Sequence, residues 1–386
     1  TQLTSDSPRS LFSDPTGVAW NGANFFLTYL GTGIEGSLID PALGITAAGI
    51  PLSAVANQQS SPAVTWDGRN YLVSWIDERT PDPTVTSGRA VRISSAGQVL
   101  DPAGIAVSAD AFSEGLASTG RQSAIEDWNT TTSGASFRLV GANGQLGPVT
   151  SITPSSETTP GLGISGNEYL IVFTPSSTAN ALSGELVNQN GIPGPSFPIV
   201  SGLDETHIIA GTVISGGQDF LVSYPSAGGT AIIPVSRAGE VGASVQLSSA
   251  PEFVQGATDG SRALVVWAYP SDPTVRAQFF ARGAPQGDPL IISTTSSGFT
   301  ASAVWDGVSF WVFWESPDAS PLPMARPVRV DGSLGTAALV VNDVCESPSV
   351  ASNGRGQILL ACFQQSEGGR TLRITTRLLS DATAAP

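Results

Sequence analysis

The 386-residue chain contains no lysine: all 17 of its basic residues are arginine, set against 32 acidic ones for a net charge of −15. That balance excludes the electrostatic footprint of a nucleic-acid binder and disfavours anionic membrane surfaces. The missing lysine fits the codon habit of a G+C-rich genome; the functional alternative is a surface without primary amines, closed to lysine-directed proteolysis and modification. There is one histidine, His207, and only two cysteines, Cys345 and Cys362, which argues against a zinc site. No stretch approaches the run of about 18 apolar residues that a membrane-spanning helix needs. No Gly-x-Ser-x-Gly elbow occurs, so a serine hydrolase of that type has no support. The first residue, Thr1, is not Met, which fits a mature product whose leader has been removed, and the small-residue tail Ser380–Pro386 reads as a flexible end or the start of a linker.

What the chain does have is turns. It carries 43 glycines and 28 prolines, and 40% of its residues are hydrophobic. The apolar residues fall in short Val/Ile/Thr/aromatic runs bounded by Gly, Asn, Asp and Pro, with no convincing 3.6-residue period. An all-β fold follows.

The runs repeat. "WDGRNYLVSW" (Trp66–Trp75) recurs as "WNGANFFLTY" (Trp20–Tyr29), "ISGNEYLIVF" (Ile164–Phe173), "SGGQDFLVSY" (Ser215–Tyr224), "TDGSRALVVW" (Thr258–Trp267) and "WDGVSFWVFW" (Trp305–Trp314), with worn copies at Ser118–Asp127 and Ser352–Ala361. The anchor glycines are Gly22, Gly68, Gly120, Gly166, Gly217, Gly260, Gly307 and Gly354. Eight copies at a period of about 40–50 residues, each reading as four short antiparallel strands, predict an eight-bladed β-propeller in a single domain spanning 1–386. A second set of turn glycines, Gly97, Gly144, Gly191, Gly239 and Gly332, falls between the third and fourth strands. In most first strands the residues three and five before the anchor glycine are small (Ala19 and Gly17, Ala117 and Gly115, Gly163 and Gly161), with a larger Val or Leu between them, as expected where first strands converge.

The last repeat runs through a third strand, "TLRITTRLLS" (Thr371–Ser380), and lacks a fourth, while "TQLTS" at the N-terminus resembles the fourth-strand phrase "VQLSS" (Val245–Ser249). Residues 1–7 are therefore expected to complete the last blade and close the ring, leaving 381–386 as a tail. The stretch "SPAVTWDGRNYLVSWIDER…GRAVRISSAGQVLDPAGIAVS" (Ser61–Ser108) resembles the tandem-repeat β-propeller proteins that myxobacteria and other environmental bacteria secrete or display on their surfaces. The resemblance implies that fold and an extracellular or outer-surface location. It brings no catalytic residue with it.

Sorted by loop, more than half of the acids fall at the strand ends opposite the anchor glycines, with only Arg9, Arg79 and His207 opposing them. Candidate binding residues on this acidic face are Asp77, Glu78 and Asp82 in one long loop, Asp204, Glu205 and His207 in a second, and Glu315 and Asp318 in a third. The face reads either as a solvated rim or as a site for a basic protein surface, a cationic ligand or Ca²⁺. Calcium needs six to eight converging oxygens, and without an Asp-x-Asp-x-Asp loop it would have to be held across blades. No other cofactor is expected. Asp67, Asp259 and Asp306, each before a glycine, read as turn-formers, and the repeated Trp residues as wedges between blades. Cys345 and Cys362 flank a hairpin whose registry, with Val350 opposite Gln357 or Ile358, would permit a disulfide; two buried thiols are the alternative. The leading functional expectation is a non-catalytic recognition scaffold for a protein or glycan, with a carbohydrate-active hydrolase or lyase as the alternative and a lectin as the third reading.

Overall fold

In a computed structural model of the chain the described residues are 2–5, 16–31, 33–53, 59–78, 86–109, 113–129, 134–152, 161–175, 180–203, 212–248, 253–269, 272–296, 301–317, 322–340, 346–365 and 372–380. Every anchor glycine adopts positive φ, from 63° at Gly166 to 99° at Gly307. A tight turn between antiparallel strands demands that conformation, and glycine alone adopts it without steric cost. At Gly68, Gly260 and Gly307 the aspartate one residue earlier closes the hairpin. Asp67 Oδ1 accepts from the backbone N–H groups of Arg69 (2.8 Å) and Asn70 (2.6 Å), and Asp306 Oδ1 from those of Val308 (2.8 Å) and Ser309 (2.7 Å). The expected turn role of these aspartates is what the structure shows.

Eight four-stranded antiparallel sheets result, and no helix occurs among the described residues. Blade 1 comprises Thr16–Trp20, Phe25–Leu30, Ile34–Asp40 and Gly44–Pro51; blade 2, Gln59–Trp66, Asn70–Asp77, Ser87–Ser94 and Ile105–Ala106; blade 3, Ser113–Ser118, Ser123–Asn129, Gly134–Val140 and Thr150–Ser151; blade 4, Gly161–Ser165, Glu168–Phe173, Ala181–Val187 and Phe197–Ser201. Blade 5 comprises Val213–Ser215, Asp219–Ser226, Gly229–Ser236 and Val245–Ser248; blade 6, Phe253–Thr258, Ala263–Tyr269, Asp272–Ala281 and Ala284–Ser293; blade 7, Ala301–Trp305, Phe310–Glu315, Pro323–Val328 and Ala338–Leu339. Blade 8 takes Glu346–Ser352, Gln357–Gln365 and Leu372–Ser380 from the end of the chain and Gln2–Ser5 from its start. The chain is an eight-bladed β-propeller.

The N-terminal strand pairs where the sequence placed it. Gln2 lies opposite Thr375, Leu3 opposite Ile374, Thr4 opposite Arg373 and Ser5 opposite Leu372. It satisfies the outer edge of the blade's third strand, which would otherwise present unpaired N–H and C=O groups.

Two compact units divide the chain. One holds Thr1–Thr131, Leu139–Gly147 and Val340–Pro386; the other holds Thr132–Arg138 and Pro148–Leu339. In the first, a cluster of Phe26, Tyr71, Val73 and Trp75 fills the space between blades 1 and 2, while Leu72, Ala90, Ile125 and Val140 fill that between blades 2 and 3. Successive residues of one second strand thus serve opposite clusters, so "NYLVSWID" is buried at every position instead of alternating. In the second unit the same plan gives Leu170, Val172, Phe220 and Val222 between blades 4 and 5, and Ile214, Leu221, Val265 and Trp267 between blades 5 and 6. Trp75, Trp267 and Trp314 are at most 3% exposed, so the repeated tryptophans are interblade wedges. The worn copy of blade 3, which ends at Asp127 where other copies end in an aromatic, has one a residue later: Trp128, 7% exposed.

The small residues of the first strands sit where neighbouring first strands touch. A Cβ on Gly17 would come within 3.3 Å of Val64 of the next blade, and one on Gly163 within 2.2 Å of Val213. Blades 5 and 6 reverse the sizes: Ile214 is the large partner, and Gly256 faces it with only 2.8 Å available for a Cβ. Size complementarity is kept although the positions of large and small are exchanged.

The hairpin of blade 8 departs from the expected registry. Val350 pairs with Leu360, and an irregularity separates Glu346 from Ser349. The two-glycine turn around Gly354 and Gly356, both at positive φ, adds a residue and shifts the second strand. Cys362 is fully buried in that strand; Cys345 lies outside the described residues.

Candidate functional site

At the glycine-turn ends three arginines, Arg92, Arg237 and Arg326, are consumed in stitching. Arg92 forms a two-pronged pair with Asp101 (2.8 and 2.7 Å) and donates to the carbonyl of Ala142 in the next blade; hydrogen bonding to Asp101 raises its pKa further. Arg237 spans Ser165 Oγ (3.0 Å) and the Gly217 carbonyl (2.7 Å), and Arg326 spans the carbonyls of Gly335 (2.8 Å) and Ile292 (2.7 Å). Each guanidinium bridges two backbone segments with several planar donors, a task for which an ammonium is poorly shaped. These arginines are structural.

The opposite strand ends carry the candidate acidic face, and here the structure revises the sequence reading. Asp77 was expected in a loop. Instead the second strand of blade 2 runs through it and buries it completely. Its Oδ2 accepts from Gln59 Nε2 (3.0 Å) and Trp75 Nε1 (3.2 Å). Gln59 in turn accepts the backbone N–H of Ile34 in blade 1 at 3.0 Å and donates to Ser53 Oγ. The carboxylate is thus the hub of a buried polar knot joining blades 1 and 2. Glu315 likewise closes the second strand of blade 7 and is only 8% exposed. Glu78, directly after the knot, is half-buried. Asp82, Asp204, Glu205, His207 and Asp318 lie outside the described residues. Of the eight candidates, then, Asp77 and Glu315 are interior groups and Glu78 stands at the root of its loop.

Replacing Asp77 by Ala leaves the Gln59 amide and the Trp75 indole N–H without this acceptor in a buried site, a cost of about 2–4 kcal/mol. Asp77→Asn keeps one acceptor oxygen and is expected to cost less. Urea titrations of the three proteins check this. An Asp77→Ala midpoint equal to that of the native chain would show that the knot is not structural.

Sequence reading missed a second pair of interior carboxylates. Glu126 and Asp127 lie in the second strand of blade 3, 0% and 2% exposed. Glu126 sits opposite Gly115, in the place that Ser74, opposite Ala63, fills in blade 2. The absent side chain of Gly115 leaves room for the longer one. Burial, and then the charge of Asp127, push the Glu126 carboxyl well above its ordinary range, partly offset by the Gly115 backbone. A carboxyl in this environment favours its neutral form, but with no solvent access it is not placed to meet a substrate. The signal lay in "SAIEDW", two acids at the centre of a strand otherwise set for burial.

Among the described residues no three of His, Cys, Asp and Glu gather as a metal-holding group. No known family matches the sequence, and no curated protein is similar to it. Solved structures do match in fold. The BP39L lectin from Burkholderia pseudomallei aligns with a TM-score of 0.62 at 14% identity, over 85% of this chain and 99% of that one. Sqt1 from Saccharomyces cerevisiae aligns with a TM-score of 0.54 at 9% identity, over 97% and 100%. A prolyl endopeptidase aligns at 0.53 and 11% identity over 95% of this chain and 54% of its own. At these identities the likeness is one of fold alone.

Proposed function

We propose that the protein is a secreted or surface-displayed recognition scaffold that binds a glycan or protein partner through the acid-rich loops opposite its glycine turns. The observation that carries this is the Asp77–Gln59–Trp75 knot. It fixes the strand ends of blades 1 and 2, and from that fixed frame the loop bearing Glu78 and Asp82 emerges. Variable polar loops on a rigid frame are how scaffolds of this kind present binding groups. The fold likeness to a lectin gives the glycan some preference over the protein partner. Ca²⁺ held between loops is compatible with the acid count, and a Cys345–Cys362 bond is part of the same proposal. That bond would fit an oxidising location.

The second reading, a hydrolase or lyase, requires two carboxylates flanking one bond in a shared cleft. Of the described acids at these strand ends, Asp77 and Glu315 are buried and so are not placed to flank a bond of a bound substrate. Retention of the protein on a glycan array, together with release of reducing ends from the retained polysaccharides with and without a chelator, separates the readings. Binding without products is expected. Product release would overturn the scaffold in favour of the enzyme.

A further inference from the structure

The sequence contains four Asn-Gly steps, at Asn21, Asn143, Asn190 and Asn353. In such a step the following backbone nitrogen can attack the asparagine side chain, because glycine offers no steric obstruction. With the neighbour identical in all four, any difference in reactivity comes from the fold.

Three of the four side chains are held. Asn21 Oδ1 accepts from the N–H groups of Ala23 (2.8 Å) and Asn24 (2.7 Å), while its Nδ2 donates to the Ser95 carbonyl (3.3 Å). Asn353 Oδ1 accepts from Arg355 (2.8 Å) and Gln357 (3.1 Å), its Nδ2 donates to Gln357 Oε1 (2.7 Å), and the residue is 8% exposed. Asn143 exchanges two bonds with Gln145, at 2.8 and 3.1 Å. Asn190 differs. It is exposed, and the turn is held by its neighbour instead: Asn188 Oδ1 accepts from the backbone N–H of Asn190 (2.9 Å) and of Ile192 (3.1 Å). The Asn190 amide makes no hydrogen bond within the protein. The attacking N–H of Gly191 does donate to the Asn188 carbonyl (2.9 Å), but Gly144 and Gly354 are engaged similarly, with the Gly141 carbonyl and Ser352 Oγ at 2.8 Å each. What sets Asn190 apart is therefore its free electrophile.

We infer that Asn190 is a site of spontaneous deamidation. The Gly191 nitrogen, losing its proton to water, attacks Asn190 Cγ. The new N–Cγ bond forms, the Cγ–Nδ2 bond breaks, and the amide leaves as ammonia, giving a cyclic imide. Water then opens the ring at either carbonyl to yield aspartate or isoaspartate. Each event adds one carboxylate to a chain already at −15, in the turn between the third and fourth strands of blade 4. The isoaspartate product also inserts a backbone methylene into a turn closed by the Asn188 N–H to Ile192 carbonyl bond (3.1 Å).

The test is to incubate the folded protein at mildly alkaline pH and follow isoaspartate, by enzymatic methyl labelling and peptide mass mapping, at all four sites. Freeing a held side chain breaks two or three hydrogen bonds, so Asn190 is expected to convert about tenfold faster than the others. In urea, where no side chain is held, the four rates should converge. Asn190→Gln should remove the fast phase while leaving the unfolding midpoint unchanged. Conversion at Asn21, Asn143 or Asn353 as fast as at Asn190 in the folded protein, or an order of rates that persists in urea, would overturn the assignment.

Discussion

Removal of residues 1–5 is expected to lower the stability of the protein by about 2–4 kcal/mol and to make it prone to association. Four residues give up a ladder of backbone hydrogen bonds, each worth on the order of 1 kcal/mol net, while the ordering cost of a short terminal strand is recovered. The larger consequence is on the strand left behind. Leu372–Thr375 loses its partner and becomes an open edge, a template for another chain. Denaturant titration and light scattering on the native and shortened proteins report the two effects separately. A frayed terminus would change neither, and that result would mean the pairing of Gln2–Ser5 contributes nothing in solution.

The second large effect is expected at Gly68, where the anchor turns act as one another's controls. Gly22 and Gly68 hold φ of 98° and 91°. A Cβ on Gly22 meets nothing within 4 Å, whereas one on Gly68 would stand 2.3 Å from the carbonyl oxygen of Gly120 in the next blade. Gly22→Ala therefore meets only the backbone conformation, about 1–2 kcal/mol. Gly68→Ala must also push apart two backbones that cannot yield as a flexible side chain would, and about 3–5 kcal/mol is expected. Thermal or chemical unfolding of the two variants measures the difference. Equal losses would show that turns of adjacent blades do not interlock.

Why some of this could be read from the sequence and some could not follows from the range of the forces involved. A tight turn at positive φ admits almost nothing but glycine, so Gly22 through Gly354 announced themselves. Burial on both faces leaves an unbroken apolar run, so "NYLVSW" did as well. The N-terminal strand was legible because "TQLTS" resembles "VQLSS", and Val245–Ser248 is indeed the fourth strand of blade 5. Asp77 was misjudged because its surroundings are assembled from afar: Gln59 reaches it across strands and reaches Ile34 across blades, and nothing local to Asp77 distinguishes a buried acceptor from a loop carboxylate. Glu126 was passed over for a related reason. Only the registry shows that Gly115 stands opposite and leaves it room. Blade 8 departs from its expected registry by two to three residues: Val350, expected opposite Gln357 or Ile358, pairs with Leu360, and the second turn glycine, Gly356, accounts for one residue of that shift relative to a hairpin such as that of blade 2.

These corrections also redirect the functional test. Reversing the charge of Asp77 or Glu315 would perturb buried groups and confuse binding with folding. The informative substitutions are in the loops: Glu78→Gln, Asp82→Asn, Asp204→Asn, Glu205→Gln and Asp318→Asn combined, with Arg69→Ala and Arg121→Ala at the exposed glycine-turn end as the control. The most direct measurement of the central claim is a titration of the array glycan retained by the native protein against these two variants, each first shown to unfold at the native midpoint. The account predicts that the loop variant loses at least about tenfold in affinity, equivalent to 1.4 kcal/mol, while the turn-end variant binds as the native chain does. Undiminished binding by the loop variant would contradict it.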